Sequence, residues 1–135
     1  VSASSAIAAG REAAEREFID TFTAYEPDGT TTDANGFKQP GFTDRGATPG
    51  KVQADTRQGD TADRFVTVGD AERPVHSGGL HLPIGAPIPA VGWEYECTAL
   101  GPLSDPSLLG RRWRVVSVPA KTYATARRLD VVEVS

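Results

Sequence analysis

The stretch Trp93-Glu94-Tyr95-Glu96-Cys97-Thr98-Ala99 alternates apolar and polar side chains, and a period of two marks a β-strand with one face turned to a core. On that reading Trp93, Tyr95, Cys97 and Ala99 point inward and both glutamates outward. Other β-prone runs recur between clusters of Gly, Pro, Asp and Asn. Phe18 to Tyr25, Lys51 to Arg57, Phe65 to Val68, Val75 to Ile84, Arg112 to Val118 and Leu129 to Val134 read as strands. Gly78-Gly79 reads as a bend or bulge. Fourteen glycines and ten prolines favour turns over long helices. The fold class that follows is mainly β, a small β-barrel or sandwich with long loops.

One helix is expected, over about residues 4–17. Ser4 or Ser5 can cap its first turn, and Arg11 with Glu15 and Glu12 with Arg16 are spaced to pair on its solvated side. Ile7, Ala14 and Phe18 leave a thin apolar stripe, which could dock on the chain itself or on a neighbouring subunit. Residues 26–50 read as a long loop rich in Pro, Gly, Asp and Thr, with Phe37 and Phe42 as its only anchors. A single domain spans residues 1–135, with strand 18–25 joined to a β core over 51–135; the size suits one modest core.

The formal net charge of −4 argues against a protein devoted to gripping phosphate backbones. No apolar run reaches the roughly 20 residues that span a bilayer, and residues 1–9 lack the pattern of a secretory signal; the expectation is synthesis in the cytoplasm and no membrane partner. The lone Cys97 excludes an internal disulfide.

No nucleophile-and-base set or phosphate cradle stands out, so no catalytic residue is assigned and the chain is read as no enzyme. His76, His81 and Cys97 do not follow a zinc-finger spacing, and Asp28, Asp33 and Asn35 with their glycines do not follow the order of an EF-hand; no metal or cofactor is expected. Arg111, Arg112, Arg114, Arg127 and Arg128 form two basic clusters beside Trp113. Single-strand-binding barrels use such pairings, but arginine is also enriched in subunit interfaces, where it would pair with carboxylates such as Glu94, Glu96 and Glu133. The interface reading is preferred on the charge balance, with Ile7, Arg11 and Ala14 as the helix's share of it.

Several segments in order resemble a family of actinobacteriophage and prophage neck proteins, itself a domain of unknown function, similar in plan to the head-to-tail stopper (head-closure) proteins of long-tailed phages. They are Gly10-Arg11 with Ala14-Glu15, Gly50-Lys51-Val52-Gln53, Leu82-Pro83, Asp105-Pro106-Ser107-Leu108-Leu109-Gly110-Arg111 leading into Trp113-Arg114-Val115, and Ala124-Thr125-Ala126-Arg127-Arg128-Leu129. The resemblance implies a virion structural protein at the head-tail junction, made in the bacterial host cytoplasm. It would form a homo-oligomeric ring of six or twelve copies, beneath a portal-adaptor complex and above a tail terminator or tail tube. The ring would close the channel on packaged double-stranded DNA and dock the tail. It also implies a loop that reaches the channel or a neighbour, for which Asp28, Asp33, Phe37, Phe42 and Asp44 are the candidates. A tail terminator or other neck ring protein, and a single-stranded nucleic-acid-binding barrel, remain as alternatives.

Overall fold

Phe22 and Ala24 are buried while Thr21, Thr23 and Tyr25 between and beside them are only half-buried, the alternation of a strand lying on a core. In the computed structural model this strand is β1 (Asp20–Thr32), followed by β2 (Lys38–Ala54), β3 (Asp63–Val68), β4 (Ala71–Leu82), β5 (Glu94–Ala99), β6 (Arg112–Ser117) and β7 (Arg127–Val134); α1 (Ala3–Glu15) precedes them. The structure describes residues 3–54, 63–68, 71–120, 122 and 124–134, with backbone alone at 54, 63–68 and 71–76.

Every strand pairing is antiparallel, and the order is β2-β1-β5-β6-β7-β4-β3. Strand β2 pairs a second time, with β4, from Lys51↔His81 to Ala54↔Gly78. Six strands therefore close into a ring, which removes the open edges an ordinary sheet would present. The first half of β4 leaves the ring and pairs with β3 as a separate hairpin. The chain is mainly β with one N-terminal helix, as the strand signals imply.

Inside the ring, Phe22, Leu80, Leu82, Tyr95, Cys97, Val115, Leu129 and Val131 are almost wholly buried, and each large apolar side chain removed from water contributes about 1.5–3 kcal/mol. Phe22 meets Trp113 edge-on, with ring centres 6.1 Å apart, a favoured aromatic geometry. Burial pushes the Tyr95 phenol up to about 12 and raises the Cys97 thiol, beside Asp20, above its ordinary value. The Asp20 carboxylate is itself buried, and accepts from the Gly101 amide at 2.9 Å and from the Ser104 hydroxyl. That contact fastens the start of β1 to the β5–β6 connection.

Residues 26–50 are a β-hairpin and not a loop: β1 and β2 pair from Asp20↔Gly50 out to Thr32↔Lys38, with register shifts at Thr23/Tyr25 and Pro27/Thr30. The prolines that made the segment look irregular sit where they do least harm. Pairing of β1 with β5 ends at Tyr25 and pairing of β2 with β4 starts at Lys51, so Pro27, Pro40 and Pro49 occupy stretches with one strand partner, where a missing N–H is tolerated.

Other expectations change in detail. Gly78 and Gly79 lie in an unbroken ladder, without the bulge, between β2 on one side and β7 on the other. Strand β5 starts at Glu94, so Trp93 precedes it half-buried, and Ala99 at its end is exposed. Strand β7 begins at Arg127, two residues earlier than its apolar run. The helix stops at Glu15 with no buried residue, and Phe18 of its stripe is buried beyond its end. Residues 55–57 of the expected strand 51–57 lie outside the described residues.

Closure is tightest at Gly50, where an added Cβ would stand 2.8 Å from the His81 carbonyl oxygen and 2.9 Å from Leu82 Cδ2. Gly50→Ala is expected to cost about 1–3 kcal/mol through overpacking, measured as a lower urea midpoint with an unchanged slope.

Candidate functional site

On the outer face of the ring, Glu94 of β5 stands opposite Arg114 of β6, and Glu96 opposite Arg112. The sequence pattern sends both glutamates to solvent, yet Glu94 is 4% exposed. Two guanidinium groups cover it. Arg114 donates through Nε and Nη2 to Glu94 Oε2 at 3.1 and 3.0 Å. Arg112 Nε lies 2.6 Å from Oε1, an ion pair by distance although its N–H is not aimed along that line. The Arg112 guanidinium also stacks on two rings, 4.4 Å from the centre of Tyr25 and 4.6 Å from that of Phe42, and such cation–π contacts strengthen when shielded from water. Since Phe42 belongs to the outer hairpin, one arginine clips that hairpin to the ring.

Beyond the clip the hairpin is exposed. Its tip is set by Asp33, whose Oδ1 accepts from the amides of Asn35 and Phe37, both at 2.9 Å, while Gly36 takes the left-handed conformation at φ 83°. Phe37 is left 66% exposed on this ordered turn. Asp28 accepts from Thr43 Oγ1 at 2.8 Å, Asp44 accepts from the Gly46 amide at 2.7 Å, and Glu26 pairs with Arg45. Of the five candidate residues here, Phe42 is therefore committed to the clip, Asp28, Asp33 and Asp44 shape the hairpin, and Phe37 faces solvent.

The two arginine clusters separate. Arg111, Arg112 and Arg114 stand at the start of β6, which pairs with the end of β7, whereas Arg127 and Arg128 begin β7, beyond Asp130↔Ser117 and opposite Leu82 and His81. Arg128 ends a basic cross-strand row with His81 and Lys51, in which Lys51 donates to Glu17 at 2.8 Å. Arg127 lies partly buried near Tyr95, its Nε without a hydrogen-bond partner. The helix stripe turns toward its own chain: Arg11 Nε donates to the Ala124 carbonyl at 3.1 Å, Gly10 faces Thr125, and Ile7 and Ala14 are half-buried.

Connections in an antiparallel ring alternate between its two ends. The β1–β2, β4–β5 and β6–β7 connections lie at one end; the β5–β6 connection and the β3–β4 hairpin lie at the other. Each end carries exposed apolar side chains, Ile88 and Val91 at the first and Leu103 and Leu109 at the second. At the second end a pocket of about 360 Å³ is lined by Val52, Ser77, Gly78, Leu108, Arg111, Trp113 and Glu133. Arg111 Nη1 and Glu133 Oε2 are 3.5 Å apart across its rim, and the Ser77 hydroxyl is buried without a hydrogen-bond partner. Among the described residues no cluster of His, Cys, Asp and Glu is placed to hold a metal ion, and no helix is long and apolar enough to cross a membrane.

The roles of Tyr25, Ser77 and Leu108 escape a reading by sequence, because each depends on a neighbour distant in the chain. One signal was available for Glu94: opposite charges on the same face of two consecutive strands point to cross-strand pairing within the chain.

Two outcomes follow. Arg112→Ala leaves Glu94 with one cation and frees Phe42; it is expected to cost about 2–3 kcal/mol and to speed amide hydrogen exchange across residues 26–44 before the rest of the chain. His81 is held below its ordinary pKa by burial first and by Lys51 and Arg128 next, against a weaker opposite pull from Glu17. The unfolded chain then binds more protons between that lowered value and about 6.5, so His81 costs no stability above this window and opposes folding increasingly as pH falls through it. Melting temperature is expected to fall less between pH 7 and 5 in His81→Gln than in the parent chain.

A comparison with curated proteins finds no match. Residues 10–132, nearly the whole chain from mid-helix into β7, match the Family of unknown function (DUF6093), and the chain belongs to that family.

Proposed function

We propose that this chain is a structural ring component of a tailed-phage neck, a head-to-tail stopper that closes the DNA channel and docks the tail. The observation that carries the reading is a small closed sheet with a β-hairpin projecting from each end and apolar residues exposed at both. Closing the ring removes the sheet's own edges, while the hairpins present new ones: residues 26–32 pair with β2 alone among the described residues, and β3 with β4 alone. Open edges and exposed apolar side chains are means of docking neighbours by strand addition and side-chain packing. A body with different surfaces at its two ends suits a part that meets a different surface of a neighbour at each end.

The sequence resemblance to neck proteins supports the same reading, and so does the acidic balance, which lets a duplex slide past without many phosphate contacts. The subunit contacts of a six- or twelve-membered ring need two different patches on each copy. Arg112 and the helix stripe are engaged within the chain, so we place these patches at the exposed ends of the ring, with Arg111 and Arg128 as exposed members of the arginine set. A tail terminator would share these features. The single-strand-binding alternative is weaker, because the Tyr25 and Phe42 rings are covered by Arg112 instead of being open to bases.

The test is a cryo-electron-microscopy reconstruction of virions, focused on the neck. Density for this chain as a ring between the portal-adaptor complex and the tail is the expected result; density at the end of the tail tube would move it to the terminator position, and none in the neck would overturn the reading. In solution, binding to single-stranded DNA is expected to be undetectable at moderate salt by fluorescence anisotropy.

A further inference from the structure

We propose that Phe37, at the tip of the β1–β2 hairpin of one copy, seats in the pocket at the opposite end of a second copy. The inference deepens the ring reading and rests on it. An aromatic side chain 66% exposed on a turn held by four hydrogen bonds between Asp33 and the main chain of Asn35, Gly36 and Phe37 is already ordered, so little conformational freedom is lost when it binds. It is carried on a projecting arm: residues 26–32 at about 3.3 Å each extend roughly 20 Å.

The pocket has complementary features. At 360 Å³ it lies near the lower end of the roughly 300–1,000 Å³ usual for ligand sites, a size suited to one aromatic side chain. Trp113, Val52 and Leu108 supply apolar walls. Arg111 and Glu133, 44% and 26% exposed and only loosely paired at 3.5 Å, can exchange that contact for Asp33 and Lys38, the charges flanking Phe37 in the hairpin. The buried Ser77 hydroxyl would meet a main-chain group of the incoming turn.

Hairpin and pocket belong to opposite ends of the ring, so the contact forms between copies in head-to-tail fashion. Contacts of this heterologous kind build closed rings or open chains according to the rotation between copies. A single anchor of this size falls below the roughly 1,000 Å² of a self-sufficient interface, so free copies form the contact transiently, long enough for a cross-linker to trap it, and assembly holds it in place.

The experiment uses full-length chains carrying one introduced cysteine each, Asn35→Cys beside the tip and Leu109→Cys beside the pocket, with the buried Cys97 unreactive in the folded state. The two are mixed and treated with a short bis-maleimide. The expected product is a linked pair of one copy of each, and adding Phe37→Asp to the Asn35→Cys chain is expected to reduce its rate of formation at least about 30-fold, as for loss of an aromatic hot spot. Phe37 is exposed, so this change leaves folding intact. No linked pair, linking indifferent to Phe37→Asp, or equal linking of Asn35→Cys to Val91→Cys at the other end would each overturn the proposal. A neck ring found in virions with its hairpin tips away from the pockets would overturn this contact while leaving the ring reading in place.

Discussion

The ring depends on the second pairing of β2. Without the four residue pairs between Lys51–Ala54 and Gly78–His81, the other strands would form an open sheet with β2 and β4 as edges. Those pairs join at a point where no side chain could fit, since Gly50 lies against the His81 carbonyl and the side chains of Leu82 and Phe22. The interior then fills from all six strands, with Phe22 against Trp113 and Leu80, Leu82, Leu129 and Val131 around them. Closure turns six strands, none able to bury both faces, into one core.

The charge pattern follows a similar economy. An arginine-rich strand invites a search for an external anion, but Arg112 and Arg114 are answered by a carboxylate one strand away. A buried ion pair adds little net stability in itself, because desolvation offsets much of the attraction, and its best-attested role is to specify one arrangement over others. Here that arrangement is the orientation of the outer hairpin, because the same guanidinium that meets Glu94 lies between Tyr25 and Phe42.

The body of the fold is legible in the sequence where burial dictates the pattern. The alternation in Tyr95 and Cys97, in Trp113 and Val115, and in Leu80 and Leu82 reports the inner face directly. The outer half of the β1–β2 hairpin is illegible for the converse reason: with both faces in water, nothing selects for alternation, and prolines and glycines are tolerated along its unpaired sides. The burial of Glu94 was hidden because it lies on the outer face and is covered by side chains from β6 and the hairpin, not by the core. Arg111, Trp113 and Glu133 could each be picked out individually, but their meeting in one pocket depends on the ring's closure, which no local pattern announces.

Strands β2 and β4 each serve two structures. Residues 38–50 of β2 run along the outer hairpin and 51–54 of the same strand form the seam; residues 71–76 of β4 belong to the other hairpin and 78–81 to that same seam. The two arms are therefore continuous levers that meet across a single four-residue ladder. A pull on either hairpin is transmitted along an extended backbone to the line where the ring is joined, so the part of the molecule that reaches outward is mechanically in series with the part that keeps it closed.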